Sequence, residues 1–175
     1  MTLRADAQRN LGRVLDAAAE AFAERGPDVS IDEIARRAGV GHATVFRHFP
    51  TKDALIVSVL NERVSELIAA AEAALSHPDA GDALLRFAWY AAELQVRDRR
   101  LYDCYGRCAE TPRIAELYDA VARLVSRAQE AGAVRSDIKP SDVRTLLGAA
   151  IKAAPPDQWQ RYVEVVLDGL RPPAR

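Results

Sequence analysis

The stretch from Ser30 to Phe49, SIDEIARRAGVGHATVFRHF, holds the side chains whose type and spacing point to chemistry. Four basic residues, Arg36, Arg37, Arg47 and Lys52, stand between Ile34 and Lys52 with no acidic residue among them. His42 and His48 lie in the same window. Guanidinium and ammonium groups donate hydrogen bonds and carry the charge that phosphate oxygens attract. A short acid-free strip of this kind is the footprint of a small phosphate-contacting site. The whole chain of 175 residues balances 24 basic against 25 acidic side chains, so it does not coat nucleic acid by bulk charge. A solvated helical hairpin would carry the same strip, and only the elements beneath it give the charges meaning.

Other chemistries find little support in the residues. No G-x-S-x-G, phosphate loop, H-E-x-x-H or glycine-rich nucleotide turn is present, so no enzymatic activity is expected. His42, His48 and His77 are not spaced as a catalytic or metal-ligating set. Cys104 and Cys108 sit four apart with no second pair nearby, which makes a poor zinc site. Neither a metal nor a cofactor is therefore expected. Two cysteines are too few for a disulfide scaffold, and a reducing cytoplasm is the simplest setting. Charges interrupt every apolar run well short of the ~18 residues of a membrane span. The segment from Leu11 to Phe22 is apolar on one face only, unlike a signal peptide.

The elements that would position the strip are helices. Alanine, the strongest helix former, occurs 33 times, and nine prolines punctuate the chain with apolar periodicity between them. Leu11, Leu15, Ala18 and Phe22 draw one helical stripe that Gly26-Pro27 ends. A long helix is expected from about Lys52 to Ser76, and further helices near 80–97, 99–109, 112–131, 141–154 and 157–170. No sustained period-two alternation marks a strand. Ser30 and Glu33 fit a capping box, Thr51 can cap the long helix, Thr111-Pro112 opens a later one, and Gly132 ends it.

A capped helix over Ile31–Ala38, a break at Gly39 and a second short helix from His42 have the layout of a helix-turn-helix. Ile34, Ala35 and Val40 would hold the pair together. Val45 and Phe49, four apart, should face inward. That places Ala43, Thr44 and Arg47 on the opposite face, with Phe46 and His48 on its flanks. Outward residues on such a helix are what a recognition helix presents to the major groove.

The segment SIDEIARRAGVGHATVFRHFPTKDAL, Ser30 to Leu55, resembles the N-terminal domain of TetR-family transcriptional regulators. With the preceding helix, the match covers roughly residues 8–60. The resemblance implies an all-α chain: a three-helix DNA-binding domain over 1–52, with its motif at 30–49, and a helical ligand-sensing and dimerisation domain over 53–175. It implies DNA contacts from Ser30, His42, Ala43, Thr44, Phe46, Arg47, His48 and Lys52. Phe46 stands where relatives commonly have tyrosine, so a phenolic hydrogen bond to phosphate is lost, although the ring can still touch a thymine methyl.

The same resemblance implies a homodimer on a palindromic double-stranded operator, and a repressor released by a small-molecule effector. Residues 53–175 carry 16 basic and 18 acidic side chains, and nothing there invites DNA. The last two helices would form the dimer interface, through Leu147, Ile151, Trp159, Val163, Val166 and Leu167. These apolar bands would equally complete the core of one subunit. Trp89, Tyr90, Cys104, Tyr105, Cys108 and Tyr118 are the candidate lining of a ligand pocket. Two other classes stay open: a helical protein-interaction module, and a small-molecule carrier that kept a vestigial helix-turn-helix.

Overall fold

A computed structural model describes residues 3–102 and 112–173, and every regular element among them is helical. The order is α1 (Leu3–Arg25), a 3-10 turn at Gly26–Asp28, α2 (Ile31–Ala38), α3 (His42–His48), α4 (Lys52–Leu75), α5 (Ala80–Arg97), α6 (Arg99–Tyr102), α7 (Pro112–Glu130), α8 (Pro140–Ala153) and α9 (Trp159–Gly169). None of these helices is long and apolar enough to cross a membrane. Of the helix expected over 99–109, Arg99–Tyr102 is described and the remainder, with Thr111, lies outside the described residues.

The chain divides into two compact units: Met1–Arg63 with Arg97–Glu110, and Val64–Val96 with Thr111–Arg175. The first unit thus extends past the boundary expected at residue 52. The reason is packing: Leu55, Ile56, Val59 and Leu60 of α4 share one core with Val14, Ala18, Phe22, Ile34 and Val45. Leu101 of α6 is buried in that same core. Severing the chain at residue 52 would strip these side chains of their partners.

Local chemistry sets the helix ends. Gly26 takes φ 73°, a left-handed value that suits glycine, and Pro27 blocks continuation of α1. The Thr51 hydroxyl accepts the Ala54 amide at 3.1 Å and caps α4. At the end of α7, Gly132 adopts φ 71° while its amide reaches Gln129 O at 2.9 Å and the Ala133 amide reaches Ala128 O at 2.9 Å. That pair of bonds is a Schellman motif. The Asp142 carboxylate accepts the Lys139 amide at 2.9 Å at the start of α8.

In the second unit a core of Leu84, Phe87, Ala88, Leu124, Val125, Ile151, Val163 and Leu167 joins α5, α7, α8 and α9. Trp89 and Trp159 meet edge to face, with ring centres 6.0 Å apart. Arg127 of α7 donates to Leu75 O at 3.0 Å, to His77 O, and to Pro78 O at 3.3 Å. One guanidinium therefore satisfies the carbonyls left open where α4 ends. Arg127→Ala is expected to cost about 2 kcal/mol, since hydrogen bonds to a charged donor contribute about 1.5–3 kcal/mol. For a chain of this size, thermal unfolding should then move down by about 4–8 °C.

Asp79 caps α5 by accepting the Asp82 amide at 2.8 Å. That amide, aided by the Gly81 amide and the charges of His77 and Arg127, holds the Asp79 carboxyl below its ordinary value. A carboxyl whose pKa is lower folded than unfolded contributes stability above the unfolded pKa and loses it as pH falls through the folded one. Melting temperature should accordingly decline below about pH 4, and Asp79→Asn should flatten that part of the curve.

Candidate nucleic-acid interface

Two motifs shape the surface that α2 and α3 present. Ser30 Oγ accepts the Glu33 amide at 3.2 Å, which is one half of the expected capping box. The other half is replaced: the Glu33 carboxylate turns to Arg25 and to Arg37, the latter at 3.1 Å. Gly39 then ends α2 at φ 65°, with its amide on Arg36 O at 3.2 Å and the Val40 amide on Ala35 O at 3.0 Å. This second Schellman motif turns the chain and sends Val40 back against the core. A side chain at position 39 would be strained by the backbone and would also meet the Arg13 guanidinium.

Gly41 opens α3, its carbonyl accepting the Thr44 amide at 2.9 Å. Val45 is 0% exposed and Phe49 7%, and these two anchors fix the rotation of a helix only seven residues long. Everything else on α3 follows from them. His42, Ala43, Phe46, Arg47 and His48 are exposed, and Thr44 is half-buried. Ser30 is exposed at the start of α2 and Lys52 is half-buried at the start of α4. Of the eight candidate contacts, six are thus exposed and two are half-buried.

The strip that is acid-free in sequence is not acid-free in space. Arg37 lies between Glu24 of α1, at 2.8 Å, and Glu33, at 3.1 Å. Their hydrogen bond holds the Glu24 carboxyl below its ordinary value and raises the Arg37 guanidinium. Arg37 is thus a strut between α1 and α2. Arg36 is well exposed, 3.8 Å from Glu33. Among the described residues, Arg47 and Lys52 pair with no carboxylate. The charge offered outward comes from Arg36, Arg47 and Lys52, in place of the expected four.

His42 shows a feature the sequence hid. Its Nδ1 bonds the Asp32 carboxylate of α2, and its ring stacks on Phe46 at 4.7 Å with the planes 6° apart. His48 packs its ring at a tilt against Phe49, 6.4 Å away.

Against known proteins, residues 14–59 match the family model "Bacterial regulatory proteins, tetR family", and residues 79–172 match "Transcriptional regulator SbtR-like, C-terminal domain". The crystal structure of a TetR transcription regulatory protein from Mycobacterium vanbaalenii superposes with a TM-score of 0.75 at 38% identity, covering 98% of this chain and 100% of that one. The chain belongs to the TetR family. The TetR regulator SCO0520 from Streptomyces coelicolor superposes with a TM-score of 0.70 at 30% identity, over 93% of this chain and 99% of that one. The HTH-type transcriptional repressor Rv3405c of Mycobacterium tuberculosis is 40% identical over 112 residues, which span 62% of this chain and 56% of that relative.

In this TetR-family member the other candidate residues are divided between core and surface. Of the expected interface residues, Ile151, Val163 and Leu167 are at most 3% exposed. Leu147, Trp159 and Val166 are half-buried. The large apolar side chains left exposed on α8 and α9 are Leu146, Tyr162 and Val165, at 46%, 38% and 63%. Of the expected pocket lining, Trp89 packs on Trp159, Tyr90 is exposed, and Tyr118 lies on the surface beneath the Arg144 guanidinium at 4.1 Å. Cys104, Tyr105 and Cys108 lie outside the described residues.

Proposed function

We propose that the chain is a DNA-binding repressor that works as a homodimer on a palindromic operator. The observation that carries this reading is the outward face of α3: an exposed Arg47 and a half-buried Thr44, held in place by the buried Val45 and Phe49. The M. tuberculosis relative named as a repressor supports the sign of regulation. One recognition helix reads too few base pairs for specificity, so two copies bind half-sites about 34–36 Å apart. Such a protein works in the cytoplasm, beside the chromosome. Selection of bound duplexes from a random pool tests the reading. A palindrome with half-sites one turn apart is the expected product, with affinity falling steeply as salt rises. Recovery of no duplex would refute it.

The dimer forms through α8 and α9, using the faces that one subunit leaves open. Burying a Val or Leu side chain contributes about 1.5–3 kcal/mol, and Leu146 and Val165 are the largest aliphatic groups available for this. Val165→Glu places a charge on that face without touching the core. The variant should stay folded by circular dichroism and sediment as a monomer. A variant that still sediments as a dimer moves the interface elsewhere.

A small, partly apolar effector bound in the second unit releases the operator. Phe49-Pro50-Thr51 joins α3 directly to α4, and α4 runs unbroken from Lys52 to Leu75 into the second unit. A ligand that favours one position of α4 changes the separation of the two recognition helices, and thereby selects against the DNA-bound state.

A further inference from the structure

We infer that Asp32, which lies outside the recognition helix, sets base preference by holding His42 as a hydrogen-bond acceptor pointed at the DNA. This rests on the DNA-binding reading above. A carboxylate can only accept, so the bond between Asp32 Oδ1 and His42 Nδ1 places the hydrogen on Nδ1. In the neutral ring Nε2 is then an acceptor. Phe46, one turn further along α3, clamps the ring with nearly parallel planes. Two restraints from two directions leave the imidazole little freedom, although its side chain is 49% exposed.

That arrangement pays its ordering cost before DNA arrives, as a preorganised contact should. No other described residue bonds the His42 ring, so Nε2 stays open. In the major groove an acceptor is complementary to an exocyclic amine, cytosine N4 or adenine N6, and clashes with the keto oxygens of guanine and thymine. Asp32 never touches the base. It is a positioning residue whose effect passes through His42, and an acidic side chain so close to DNA is otherwise a repulsive element.

The test uses the full-length protein at pH 8. Duplexes selected by the wild type are compared with those selected by His42→Ala, Asp32→Ala and Asp32→Asn. The position whose preference His42→Ala erases should carry cytosine or adenine on the strand that is read. Asp32→Ala should erase preference at that same position by about tenfold, the lower end of what one good base contact discriminates. Asp32→Asn, which keeps an acceptor oxygen, should restore it. The inference is overturned if Asp32→Ala keeps full preference there, or if it changes affinity equally on every duplex, as simple loss of a repelling charge would. A guanine or thymine at the His42-dependent position overturns it as well. If the wild type selects no duplex, the DNA-binding reading fails first and carries this inference down with it.

Discussion

Arg47→Ala should weaken binding to the selected palindrome by about 1–3 kcal/mol at each half-site, or at least ~30-fold over two. The size of the effect follows from what surrounds the residue. Arg47 is exposed, pairs with no described carboxylate, and lies on the face opposite Val45. Among the described residues no carboxylate competes for its donors, so they are available to DNA. Nothing in the core depends on it either, and the melting temperature of the variant should match the wild type. The pattern of loss identifies the contact. If Arg47 forks onto guanine O6 and N7, one position per half-site drops out of the selected motif. If it grips phosphate, affinity falls uniformly over all duplexes and the salt slope shrinks by about one per protomer. An unchanged affinity would remove α3 from the interface. Arg37→Ala provides the contrast, because its loss leaves Glu24 and Glu33 without their shared partner and should lower stability without changing base preference.

The divergent outcomes of Arg36, Arg37 and Arg47 mark the limit of what was legible in the sequence. Features set within one turn of helix could be read directly. Ser30 before Glu33, Gly39 at the break, and Val45 four residues before Phe49 each follow from backbone geometry and helical period, and each is where the spacing placed it. Pairings between helices were not legible. Arg37 meets Glu24 across 13 positions and His42 meets Asp32 across 10, and no local rule relates those separations. A strip without acids in sequence thus acquired acids from its neighbours. Periodicity has the same blind spot in α8 and α9. It shows that a helix has an apolar side, but where two sides are apolar it does not say which one the core takes. The core took Ile151, Val163 and Leu167, and Leu146 and Val165 were left outside. Aromatic content has the same blind spot: it does not say that Tyr90 and Tyr118 are exposed, or that the Tyr118 ring lies beneath the Arg144 guanidinium.

Asp98→Ala should be the most damaging substitution to the first unit. Asp98 is 1% exposed, between the end of α5 and the start of α6, and nothing in its sequence context distinguishes it from a surface acid. Its Oδ2 lies 2.8 Å from Arg63 Nε of α4 and 3.3 Å from Arg97 Nη2. Its carbonyl accepts the Leu101 amide at 2.8 Å, and Leu101 is 0% exposed in the core beneath α1. Arg100 then reaches Glu24 O at 2.5 Å, so α6 is fastened to the end of α1 just after Asp98. Removing one member of a buried ion pair costs about 3–5 kcal/mol, because the remaining charge keeps its desolvation penalty and loses its compensation. For a chain of this length that lowers the melting temperature by about 6–20 °C. Replacing both members with apolar groups of similar size is often neutral. Arg63→Leu combined with Asp98→Leu should therefore recover most of what Asp98→Ala loses, while Asp98→Asn falls between. Calorimetry on the four proteins decides the matter: a double variant less stable than Asp98→Ala would mean that α6 is held by packing and not by this pair.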